Sequence, residues 1–164
     1  MSVSLYGSGQ TVVQIQQAVS NTAFSTTTSN TDITGLSVTI TPQSTSNKIL
    51  VMYDVVYGNG SSQPYSGINL FCNGTWTPQG TTAGGQTAFT SPAVLANPGN
   101  PENETRTYSF HYIHSPASTS ALTYKLQVGS IVGSRTVYIN TNSPSAGQYS
   151  SGVSQITVVE LAYA

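Results

Sequence analysis

Apolar residues recur at every second position along most of this chain of 164 residues. Leu36, Val38 and Ile40 alternate with Ser37 and Thr39 and stop at Pro42; Ile68, Leu70 and Cys72 run into an Asn73-Gly74 pair. Tyr108, Phe110 and Tyr112 form another row, then Leu122, Tyr124, Leu126 and Val128, while Val13, Ile15 and Val19 make a looser one broken at Gln17. A period of two places alternate side chains on opposite faces of a strand, so each row predicts a half-buried antiparallel strand with its apolar side on a core. No segment sustains the 3.6-residue spacing of a helix; Gln14 to Ala18 comes nearest and reads better as strand.

Two stretches depart from strict alternation. Lys48 to Tyr57 is apolar on both faces, through Ile49-Leu50-Val51-Met52 and Val55-Val56-Tyr57, and Ser154 to Tyr163 mixes faces through Ile156, Val158, Val159 and Leu161. A strand covered on both sides either lies at the centre of a sheet or turns one face to a neighbouring subunit. Turn-forming segments separate the strands at Pro42 to Asn47, Gly58 to Pro64, Thr81 to Gln86, Asn97 to Asn103, Ser115 to Ser120 and Asn140 to Gly152. About eight short strands with turns between them predict an all-β fold: a single antiparallel β-sandwich, jelly-roll-like, over residues 11–164. The Gly/Ser-rich residues 1–10 read as an N-terminal arm.

Charge narrows the function. Four basic and five acidic residues leave a net of −1, and charged residues make up 5% of the chain, against roughly 25% in ordinary domains. Lys48, Arg106, Lys125 and Arg135 are too few and too scattered to neutralise a phosphate backbone, so no nucleic-acid partner is expected, nor a polybasic membrane contact. Ser and Thr supply 47 residues and tyrosine ten. A nearly neutral, hydroxyl-rich surface associates readily and has few charges to desolvate, which suits a subunit of a close-packed assembly. Residues 1–10 hold no secretory signal pattern, no apolar run approaches a membrane span, and the sequons at Asn59, Asn73 and Asn103 are expected by chance in so Asn/Thr-rich a chain.

Candidate chemistry is sparse. His111 and His114 are three apart on one predicted strand and so face opposite ways, which prevents local chelation; they read as hydrogen-bonded aromatics at a strand end. The acids are Asp32, Asp54, Glu102, Glu104 and Glu160, in no local pairing. Asp54, in the most apolar strand, is expected to be a buried, hydrogen-bonded structural carboxylate. Lone Cys72 is in register with Ile68 and Leu70 and reads as a small buried hydrophobe. No nucleophile elbow, phosphate loop, calcium loop or zinc-ligand spacing occurs, so neither an enzyme nor a cofactor is expected. Trp76, with Tyr65, Tyr149 and Tyr57 on predicted loops, offers flat apolar faces that suit either sugar rings or a protein interface.

Three segments together resemble a known group. Ser109 to Val128 is similar to the "HYxxSPxxTSxxTYKxQ" strand–turn–strand of phage tail-fibre and virion surface modules, many from marine and cyanobacterial phages. Thr34 to Val51 resembles the "TGLSVxITPxSxxSKILV" pattern of the same modules, and Ser154 to Ala162 their closing "SxITxxEL" strand. The resemblance implies a sandwich presented as a trimer on the surface of a phage particle. With only ten residues before the first strand and no stalk, the expectation is a capsid decoration, or cement, protein: a homotrimer bound to the major capsid protein or another virion protein. Its seating arm would use Val3, Leu5 and Tyr6, and its trimer contact Ile49, Val51, Tyr53, Val55 and Tyr57. The alternative is a tail-fibre tip that recognises host glycan through Trp76, Tyr65 and Tyr149.

Overall fold

A computed structural model describes residues 11–28, 30–59, 65–76, 78–80, 88–94, 105–130, 136–142 and 151–162, with the backbone alone at Asn59, Tyr65, Trp76, Ala93, Val94 and Ser130. Among these residues the chain forms eleven strands: β1 (Thr11–Ser20), β2 (Phe24–Thr26), β3 (Thr31–Ile40), β4 (Lys48–Asn59), β5 (Tyr65–Cys72), β6 (Thr75–Trp76), β7 (Ser91–Val94), β8 (Thr105–His114), β9 (Leu122–Ser130), β10 (Val137–Ile139) and β11 (Ser154–Ala162). The expected long strands are all present, and the excess over eight comes from short pieces of two to four residues.

The strands make two antiparallel sheets. In the large sheet β4 is central: β8 runs along one side of it, β11 and then β10 along the other, with β1 outside β11 and β2 outside β10. The small sheet runs β3, β9, β5, with β6 and β7 sharing the far side of β5. Their inner faces enclose one apolar core. From the large sheet come Ile156 and Val158 of β11 and Val137 and Ile139 of β10; the small sheet adds Leu36, Val38 and Ile40 of β3, Leu122, Leu126 and Val128 of β9, and Ile68 and Leu70 of β5. The architecture is the all-β sandwich that the alternation predicts.

The trimer contact expected at Ile49, Val51, Tyr53, Val55 and Tyr57 is corrected here. All five project from the inner face of β4 into this core and are at most 1% exposed. Their apolar character is spent within one copy of the chain, and no second copy can reach them. β4 is apolar on both faces, and it lies at the centre of the large sheet.

Local chemistry explains the joins. Asn73 and Gly74 both take positive φ, 49° and 80°, so a two-residue turn closes the β5–β6 hairpin at the Cys72–Thr75 pair. Trp76 therefore lies in a short strand opposite Phe71 rather than in a loop. Thr34-Gly35 is an irregularity inside β3, not a turn: Gly35 sits at φ 82° against Ser20, and the pairing register shifts between Asp32 and Ser37. That shift turns both Ile33 and Leu36 inward although they are three residues apart.

Tyrosine hydroxyls tie the sheets together across the core. Tyr53 reaches Ser91 of β7 at 2.6 Å and Tyr57 reaches Ser66 of β5, while Tyr124 of β9 meets His114 Nδ1 of β8 at 2.7 Å. Burial pushes the Tyr53 and Tyr57 hydroxyls up to about 12, so they stay protonated donors. Tyr57 is thus a cross-sheet strut and not a loop platform. Cys72 is free, buried and pushed up by burial, as its register suggested.

Candidate functional site

The two outward faces differ in chemistry. On the small sheet the outer face is polar: Thr39 and Thr123 exchange a hydroxyl bond of 2.9 Å, and Asp32 takes Lys125 Nζ at 2.9 Å and Gln127 Nε2 at 2.5 Å. Desolvation raises the Asp32 carboxyl, but the bonds from Lys125 and Gln127 leave it below its usual value. Phe71 and Asn69 on this side are buried, with Thr90 bonded to Asn69 and Phe89 packed on Gly67.

The large sheet instead presents apolar side chains in register. Ile15 of β1 pairs with Val159 of β11, Val159 with Leu50 of β4, and Leu50 with Ile113 of β8. Directly paired residues share a face, so these four form one row across four strands. Ile15 and Ile113, at its ends, are 59% and 51% exposed. Val12, Val19 and Met52 add further exposed apolar surface on the same side. The alternating apolar row of β1 is therefore the outward one: its inner face carries Gln14, Ala18 and Ser20. This corrects the expectation that each row faces the core.

Beside the apolar row runs a hydrogen-bonded polar strip. Gln17 Nε2 donates to Gln155 Oε1 at 3.1 Å and Thr157 Oγ1 at 3.0 Å, and Gln155 Nε2 donates to Asp54 Oδ2 at 2.8 Å. Ser109 Oγ donates to Asp54 Oδ1 at 2.5 Å. The Ser109 and Gln155 donors hold the Asp54 carboxyl below the usual range. Asp54 is hydrogen-bonded as expected, but on this outer face and half-buried. His111 pairs with Met52 on the same face, whereas His114 points inward to Tyr124 and burial lowers its affinity for a proton. The two histidines do face opposite ways.

Sequence reasoning missed the acid that is fully buried among the described residues. Glu160 is 0% exposed and accepts from Gln14 Nε2 at 2.6 Å, Asn47 Nδ2 at 2.6 Å and the Gln43 backbone N–H at 2.7 Å. Desolvation raises its carboxyl, and the bonds from Asn47, Gln14 and the Gln43 and Ser44 backbone bring it below normal. It clamps the β3–β4 turn to β11 and β1. A usable signal existed: Glu160 has the parity of Ile156 and Val158 and thus belongs to an inward row.

Among the other expected site residues, Val3, Leu5, Tyr6 and Tyr149 lie outside the described residues, as do the side chains of Tyr65 and Trp76. Among the described residues, no group of three or more His, Cys, Asp and Glu is placed to hold a metal, and no helix is long and apolar enough to cross a membrane.

No family model and no curated protein matches the chain. Among solved structures it is similar to one described as the structure of infectious bursal disease virus, Gx strain, at 10% identity and a TM-score of 0.40. The alignment covers 92% of this chain and 42% of that one, so the chain spans less than half of its length.

Proposed function

We propose that this chain is a non-enzymatic structural protein of a bacteriophage virion, a decoration protein that binds the capsid as a homo-oligomer and stabilises the shell. The observation that carries the reading is the outward face of the large sheet, where an apolar row crosses four strands beside a hydrogen-bonded polar strip. Such a face suits permanent burial against protein, because its apolar row gains on leaving water and the Gln17, Gln155 and Asp54 side chains beside it already hold partners. The resemblance of Ser109 to Val128 and of Thr34 to Val51 to virion surface modules supports the same reading, and trimers are the state those modules suggest.

The acids point away from catalysis. Asp32, Asp54 and Glu160 are each engaged by two or more structural hydrogen bonds, which leaves them poor bases for a bound substrate. Stabilisation of the shell would follow from linkage, since a subunit that binds the assembled lattice and not free coat protein favours the lattice.

The test is reconstitution on phage particles stripped of the protein. Purified chain should bind at a fixed ratio to coat subunits and raise the temperature at which DNA is released. Absence of the protein from purified particles, or density confined to the tail, would overturn the decoration reading, and tail density would favour the fibre-tip alternative.

A further inference from the structure

We propose that the outward face of the large sheet is where one copy of this chain docks on another, an inference that deepens the virion reading and rests on its oligomeric part. The face is built for contact by register: Ile15, Val159, Leu50 and Ile113 form a continuous row, with Met52 beside Leu50. The outer face of the small sheet, made by the same chain, carries the Asp32–Lys125 ion pair and a Thr39–Thr123 hydroxyl bond. Among the described residues, the large hydrophobics that stay exposed on strands, Val12, Ile15, Val19, Met52 and Ile113, all belong to the large sheet.

Charge and size favour a second copy as the occupant. Asp54, inside the face, is held by Ser109 and Gln155, and Lys48 sits at its corner opposite Leu161. Among the described residues of the face the Asp54 carboxylate and the Lys48 ammonium balance, so it offers no net charge for an acidic or basic partner to complement, and a second copy brings the same balance. Four strands at ~4.8 Å spacing and about nine residues at ~3.3 Å give a footprint of about 600 Å². Stable interfaces bury roughly 600–1,000 Å² per partner, so the face alone reaches the needed size when a second copy covers it. A second copy packed at ~10 Å would then bury the exposed ends of the row, Ile15 and Ile113, which no described element of one copy covers.

Sedimentation of the whole chain from low micromolar to submillimolar concentration tests this. The expected result is a concentration-dependent oligomer. Changing the two exposed ends together, Ile15→Lys with Ile113→Lys, should raise its dissociation constant about 100-fold or more, because two ammonium groups would be buried unpaired. Both positions are more than half exposed, so the far-ultraviolet circular dichroism and melting of the variant should match the parent. The control pair Thr39→Lys with Thr123→Lys, on the polar face, should still self-associate. A parent that stays monomeric throughout, or a doubly substituted face that associates as tightly as the parent, overturns the proposal. A monomer that nonetheless decorates particles would overturn this inference and the oligomeric part of the virion reading while leaving decoration itself standing; self-association through this face by a protein absent from particles would do the reverse.

Discussion

Replacing Glu160 tests how this sandwich holds together. Its carboxylate is 0% exposed and its donors are neutral: the Gln14 and Asn47 amides at 2.6 Å and the Gln43 N–H at 2.7 Å. Hydrogen bonds to a buried charge contribute ~1.5–3 kcal/mol each, but the donors regain part of this from water near the β3–β4 turn. Glu160→Ala should therefore cost about 4 kcal/mol, and Glu160→Gln about 2 kcal/mol, since an amide keeps one acceptor and turns an N–H₂ toward groups that also donate. For a chain of this size about 4 kcal/mol lowers the melting temperature by roughly 8–16 °C. The pH dependence supplies a second readout. The folded carboxyl titrates below its unfolded counterpart, so its stabilisation is complete above the unfolded value near ~4.3 and is lost as pH falls through the folded one. Thermal melts from neutral to acid pH should thus show a steeper acid decline for the parent than for Glu160→Gln. A Glu160→Gln protein as stable as the parent at pH 7, with the same acid slope, would refute the clamp.

Val55→Asp places an unpaired carboxylate in the core and should unfold the chain, seen as loss of cooperative melting, rather than yield folded monomers. Asn140→Ala should cost about 3–4 kcal/mol in chemical denaturation: the side chain holds Ser20 O, Thr22 O and Ser154 Oγ from a buried site at φ 62°, and Asn140→Gly should recover ~1 kcal/mol by relieving the backbone. Self-association should change little between ~50 mM and 1 M salt, because charges make so small a part of the contact; strong dissociation by salt in sedimentation would contradict an apolar interface.

The fold was legible because period two is a direct readout of strand faces, and the row Leu122, Tyr124, Leu126, Val128 lies where it predicts. Alternation cannot say which face of a strand points inward, however. β1 has Ile15 and Val19 on one side and Gln14, Ala18 and Ser20 on the other, and hydropathy alone turns the first row to the core. The partner decides otherwise: Gln14 pairs with Glu160, whose buried carboxylate needs the Gln14 amide, so the polar row turns inward and Ile15 outward. One buried charge sets the face of its neighbour. Likewise, Lys48 to Tyr57 shows apolar residues on both sides but not which side meets the core, and the row expected at a subunit contact fills the core instead.

The two misreadings share a cause that bears on function. In β1 and β4 the outer row is apolar yet stays uncovered by the described residues: Ile15 is 59% exposed and Met52 37%. Single exposed apolar residues are ordinary on protein surfaces, whereas a row held in register across four strands is not random scatter. Each strand contributes one member, from segments as far apart in the chain as Ile15 and Val159. The row therefore exists only in the folded chain, which makes it a property of the surface and invisible to any local pattern. Exposed apolar sheet faces are a liability for a free protein, and the same face is an asset once another surface covers it. Replacing the row's ends with lysine should therefore leave folding intact while reducing assembly, a separation that a merely structural role for Ile15 and Ile113 would not produce.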